Sequence, residues 1–101
     1  MDDIVFKAVA DPTRREILRS LRGAPRSVGE LALSLPLSQP GVSQHLKVLL
    51  DAGLVARAAH GTRRVYSLRP EGLIPLRSWV EDFWDDALDR YARSFKKESA
   101  R

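Results

Sequence analysis

The chain has 101 residues, 44% of them hydrophobic and 30% charged, with a formal net charge of +4, which suits one compact domain with a buried core rather than a disordered chain. It contains no cysteine, which excludes disulfides, thiolate metal sites and cysteine redox sensing. No apolar run approaches the ~20 residues of a membrane span, and Met1-Asp2-Asp3 carries the wrong charge for an export signal, so a cytoplasmic protein without a membrane partner is expected.

Ile4 to Ala10 reads as a short helix that offers Ile4, Val5, Ala8 and Val9 for packing. Asp11-Pro12 then starts a second helix, with Asp11 as N-cap and Pro12 as first residue. It is expected to reach about Arg22, with Ile17, Leu18 and Leu21 inward and Gly23 closing it. Ser27-Val28-Gly29-Glu30 matches a capping box, in which Ser27 and Glu30 satisfy each other's amides. That opens a third helix through about Leu33. Leu35 and Pro36 separate it from a further start at Ser38, a ready N-cap with Pro40 in the first turn and Gly53 as the stop. Two short helices joined so tightly form the helix-turn-helix pattern.

The second helix of that pair has two unlike sides. Val42, Leu46, Leu49 and Leu50 make an apolar back. At about 100° per residue, Pro40, Gln44 and Lys47 point nearly opposite, with Gly41 and Ser43 beside them. A front of small, amide and cationic side chains suits the DNA major groove, since Gln bonds adenine edges and Lys reaches guanine or phosphate. Gln39, Pro40, Ser43, Gln44 and Lys47 are therefore candidate DNA contacts. His45 flanks the apolar side, where packing or a phosphate contact is expected rather than metal ligation, because no second soft ligand is near.

Leu54 to Ala58 and Arg63 to Leu68 are strand-like runs around His60-Gly61-Thr62, so a β-hairpin is expected. Arg57, Arg63 and Arg64 make it basic, a wing able to touch phosphate or the minor groove. Arg63 and Arg64 alternate sides, so one of them faces DNA; Arg63, nearer the tip, is preferred. After Pro70-Glu71-Gly72 a long helix is expected over 73–97, with Leu76, Trp79, Val80, Phe83, Trp84, Ala87, Tyr91 and Phe95 at three- and four-residue spacing. Glu81, Asp82, Asp85 and Asp89 take the other side. Such a helix extends ~37 Å, more than this core needs. The excess is expected to bury against a second copy, with Ile4 and Val5 of the first helix joining it; a purely intrachain core is the alternative. Glu98 to Arg101 are expected to be disordered.

The expected architecture is mostly α with a small β-hairpin, in the order α-α-α-α-β-β-α, a winged helix-turn-helix dimerising through its first and last helices. It occupies residues 1–101 as a single DNA-binding domain. Residues 1–70 carry eleven Lys and Arg against six Asp and Glu, whereas 71–101 carry six against seven. The basic part thus coincides with the candidate reading surface, as contact with phosphate requires.

Phe6 to Leu18, Phe-Lys-Ala-Val-Ala-Asp-Pro-Thr-Arg-Arg-Glu-Ile-Leu, resembles the opening ALADPTRREIL pattern of the ArsR family of winged-helix transcriptional repressors. Ser43 to Val55 resembles that family's recognition helix, and Gly61 to Leu68 its wing. The resemblance is close over residues 4–68 and extends to the helical ends in arrangement. It implies a homodimer that binds an inverted repeat in a promoter and represses transcription, often of its own operon. Metal-sensing members resemble Glu-Leu-Cys-Val-Gly-Asp-Leu in the third helix; Arg26 to Leu31 here offers no thiolate. Asp82, Asp85, Asp86 and Asp89 lack the histidine of the terminal-helix zinc site, and zinc favours nitrogen and sulfur ligands. No metal and no cofactor are therefore expected, and the sequence names no small-molecule effector.

Two other readings stand beside a DNA-binding repressor whose partners are operator DNA and a second copy. A winged helix can serve as a protein-interaction module without specific DNA binding, although the polar front beside a basic wing argues against it. An enzyme is the weakest reading: there is no cysteine nucleophile, Gly-rich phosphate loop or His near a carboxylate in sequence.

Overall fold

The computed structural model describes residues 3–99. Helices α1 (Asp3–Ala10) and α2 (Pro12–Leu21) come first. Asp11 separates them: its backbone is extended, and its carboxylate accepts the N–H of Thr13 at 2.8 Å and of Arg14 at 3.1 Å. Two of the orphan amides of α2 are thereby satisfied. The far end departs from expectation. Gly23 does not take the left-handed backbone; the Arg22 N–H bonds back to the Arg19 carbonyl at 3.2 Å instead.

A strand absent from the expected order follows, β1 (Arg26–Ser27). Ser27 then does a second job. Its hydroxyl accepts the Glu30 N–H at 3.2 Å while Glu30 Oε1 accepts the Ser27 N–H at 3.0 Å, the reciprocal box that starts α3 (Val28–Ser34). Ser38 opens α4 (Gln39–Asp51), its hydroxyl accepting the Gly41 N–H at 3.2 Å. Gly53 closes α4 with φ +75°. Its N–H reaches the Leu50 carbonyl at 3.0 Å and that of Leu54 the Leu49 carbonyl at 2.9 Å, the paired bonds of a Schellman ending.

The hairpin consists of β2 (Val55–His60) and β3 (Arg63–Leu68), antiparallel in register from Val55 opposite Leu68 to His60 opposite Arg63. β2 therefore runs two residues past its expected end. The two-residue connection has Gly61 at φ +66° while Thr62 stays negative, the pattern of a type II′ turn that matches strand twist. β1 pairs antiparallel with the outer side of β3, Arg26 opposite Tyr66 and Ser27 opposite Val65, giving the order β1-β3-β2.

The core gathers Val5 and Ala8 of α1, Ile17 and Leu21 of α2, Leu31 of α3, and Val42, Leu46 and Leu49 of α4 against Leu54, Val55 and Tyr66. Val5 is only 3% exposed in its own chain, so it holds α1 down and is not free for the subunit contact expected of it. A 3-10 turn (Pro70–Leu73) then leads into α5 (Ile74–Ser99). Gly72 lies so close to the end of α4 that a Cβ there would stand 2.1 Å from the Gly53 carbonyl oxygen. Glu98 and Ser99, expected in a disordered tail, continue α5 because nothing in its composition breaks the helix; Ala100 and Arg101 lie outside the described residues. Among the described residues no helix is long and apolar enough to cross a membrane.

Candidate nucleic-acid interface

α4 has Val42, Leu46 and Leu49 fully buried on its back. Gln39, Pro40, Ser43, Gln44 and Lys47 are all exposed on the front, as the 3.6-residue period requires of a helix packed on one side only. Among the described residues the amides of Gln39 and Gln44 have no intrachain partner, whereas Lys47 Nζ lies 3.6 Å from Asp51 Oδ2 one turn on.

His45 is half-buried and turns towards α2. Its Nδ1 stands 3.4 Å from Arg14 Nη1. A guanidinium only donates, so a hydrogen bond between the two uses Nδ1 as the acceptor. Arg14 also donates through Nε to the Ala8 carbonyl at 2.6 Å and through Nη2 to the Lys7 carbonyl at 2.9 Å. One arginine thus ties the carbonyl end of α1 to the recognition helix. Asp11 adjoins it at 4.0 Å. The Arg14 amide above all, then that of Thr13 and the Arg14 charge, hold its carboxyl below the usual carboxylate range.

The wing places its two arginines differently. Arg63 Nη2 donates to Glu30 Oε1 at 2.9 Å and to Ser27 Oγ at 3.0 Å, which fastens the hairpin tip to the start of α3. Arg64 is exposed and, among the described residues, without a partner. Both line one open groove of about 620 Å³ with Thr62, Gln39, Leu33 and the Ser27–Glu30 segment. The groove therefore joins the wing to the first turn of α4. Sequence reasoning treated Glu30 only as a helix cap, and no local signal reveals its pairing with a residue 33 positions later.

The candidate subunit surface is carried by α5. Trp79, Val80, Phe83, Trp84, Ala87 and Tyr91 are exposed, Trp84 by 59%, whereas Leu76 packs against the core. Ile4 is 50% exposed on α1. Phe6, which the sequence reading passed over, meets Trp79 edge-on at 5.6 Å, and Trp79 meets Phe83 at 4.9 Å. These rings seat the first turns of α5 on α1 and leave Leu88, Tyr91 and Phe95 further along, each at least 46% exposed. Among the described residues no three His, Asp or Glu side chains gather as a metal would need.

The model of the family described as bacterial regulatory protein, arsR family, matches residues 11–57. The HTH-type transcriptional regulator Rv2034 of Mycobacterium tuberculosis is 51% identical over 96 residues, spanning 95% of this chain and 90% of that one. The transcriptional repressor SdpR of Bacillus subtilis is 37% identical over 79 residues, 78% of this chain and 88% of its own. The solution structure of the homodimeric winged helix-turn-helix DNA-binding domain of Mb0332 from Mycobacterium bovis superposes with a TM-score of 0.67 at 30% identity, over 87% of this chain and 82% of that one.

Proposed function

The chain belongs to the ArsR family of bacterial regulatory proteins and is a DNA-binding transcriptional regulator; from that premise we propose a homodimeric repressor that reads an inverted-repeat operator, its own promoter included. The observation that carries this reading is α4, where Val42, Leu46 and Leu49 are fully buried on the back while Gln39, Ser43, Gln44 and Lys47 stand exposed on the front. Each recognition helix enters a major groove. Gln39 and Gln44 offer paired amide bonds to adenine edges, Ser43 contacts base or phosphate, Lys47 reaches guanine or phosphate after leaving Asp51, and Pro40 packs beside them. Arg64 supplies the wing's phosphate contact, in preference to Arg63.

Two copies meet through α5 and the exposed side of α1. Trp79, Val80, Phe83, Trp84, Leu88 and Tyr91 form an apolar surface that monomers rarely leave in water. The homodimeric relative from Mycobacterium bovis supports a second copy as its occupant, and the repressor name of the Bacillus subtilis relative supports the sign of regulation. The protein works in the cytoplasm by occupying DNA, not by turnover.

Fluorescence anisotropy with duplex from upstream of its own gene, against random duplex at several salt concentrations, tests the reading. Tight binding upstream at two protomers per site, well above random, is the expected result. Equally weak, steeply salt-dependent binding to both would mean phosphate contact alone and would favour a protein-interaction module.

A further inference from the structure

We propose that Glu30 is a built-in stand-in for DNA phosphate: it holds the wing arginine Arg63 and so sets how much of the wing's charge reaches a duplex. The inference rests on the DNA-binding reading above.

The geometry carries it. A single guanidinium nitrogen of Arg63 donates to both Glu30 Oε1 and Ser27 Oγ, at 2.9 and 3.0 Å, so in the free protein the wing's tip-proximal cation already has a carboxylate partner. The pair stands in solvent, with the Arg63 side chain 61% and that of Glu30 46% exposed. Such surface pairs are weak and exchangeable, and a phosphate offers the same guanidinium a two-pronged, charge-assisted contact. The pairing takes place in the groove that Arg63 shares with Gln39 and Arg64. A DNA backbone passing from the first turn of α4 to the wing must run along this groove. It would displace Glu30 and meet a like charge in doing so. The Ser27 amide, then the Ser27 hydroxyl and the Arg63 charge, keep that carboxyl below its usual range, so the competitor stays ionised.

Helix capping alone does not account for a carboxylate here. The capping box needs an acceptor for the Ser27 N–H, which a neutral Gln supplies equally well. Glu adds a charge, which favours the start of α3 but stands on the surface proposed to receive an anion. Arg64, one residue on, has no such partner among the described residues. The wing therefore carries one open cation and one masked cation.

Glu30→Gln keeps an acceptor for the cap and removes the competitor, so the protein should still fold, with a small drop in melting temperature from the lost charge at the start of α3. Anisotropy on a fluorescein-labelled random duplex across a KCl series, for the native chain, Glu30→Gln, Arg63→Ala and the double variant, tests the idea. Glu30→Gln should bind about threefold to tenfold tighter near physiological salt. Its salt slope should steepen by about 0.9 for each Arg63 released to phosphate. With Arg63→Ala also present the change in salt slope should vanish, and the affinity gain should shrink to the smaller one that removing a single negative charge gives. Equal gains in both backgrounds would reduce the effect to bulk charge and overturn the proposal, as would no gain at all. Failure of the native chain to bind random or upstream duplex would instead overturn the DNA-binding reading itself, and these outcomes are distinct.

Discussion

Gln44 stands in the middle of the exposed side of α4, and among the described residues nothing in the chain claims its amide, so its hydrogen-bonding capacity is free for a base edge. Gln44→Ala should cost about 1–3 kcal/mol on the preferred sequence and little on random duplex; equal losses on both, measured by anisotropy, would sink the base-reading role. The wing arginines should separate in the same assay. Among the described residues Arg64 has no partner, whereas Arg63 is held by Glu30 and Ser27, so Arg64→Ala should flatten the salt slope by about 0.9 per protomer and Arg63→Ala by less. A larger effect at Arg63 would reverse that assignment. Alternation along the strand implies that one of the two faces DNA, and nearness to the tip favours Arg63, whereas the pairing of Arg63 with Glu30 and Ser27 favours Arg64. What decides availability is a partner on α3, far away in sequence. His45 illustrates the same limit, since its position between the two sides of α4 was legible but its engagement with Arg14 of α2 was not.

At the level of elements, the starts of α2, α3 and α4 were legible to the residue, because Asp11, Ser27 and Ser38 act on amides two or three positions away. Strand β1 was not, since two residues carry no periodicity and pair with β3 only through the tertiary fold. The junction at Gly72 was legible only as an interruption; the close approach to Gly53 that demands glycine is between segments distant in sequence. Gly72→Ala should therefore destabilise by about 1–3 kcal/mol or more, whereas Gly23→Ala, where a Cβ meets nothing within 4 Å, should be nearly neutral. Urea midpoints for the two variants check this, and equal shifts would contradict the packing account. The Asp11 cap adds a pH signature. Its carboxyl titrates below the usual range in the folded protein, so its contribution is present above the unfolded-state value near 4 and is lost as pH falls through the lower folded one. Asp11→Asn, which still caps, should flatten the acid-side decline of the melting temperature; an unchanged profile would remove the cap from the account.

For the molecule as a whole, the division of charge and the length of α5 were both plain in the sequence, and the proposed function gives the two ends different work: a basic reading head and an apolar seam. The seam's width was less plain, because Phe6 meets Trp79 from a position seventy-three residues earlier in the chain. Trp84→Glu should leave the protomer folded, since that ring is 59% exposed, yet convert a dimer to a monomer in sedimentation velocity. Leu46→Ala, at a fully buried position, should instead cost about 2–5 kcal/mol of stability. A Trp84→Glu protein that stays dimeric would move the interface elsewhere. The central claim, that two recognition helices read successive major grooves as a symmetric pair, is tested most directly by selecting bound duplexes from a fully randomised pool. The account predicts enrichment of two inverted half-sites with centres about one helical turn, roughly 10–10.5 base pairs, apart or a whole multiple of it; a lone half-site, or no enrichment over the starting pool, would contradict it.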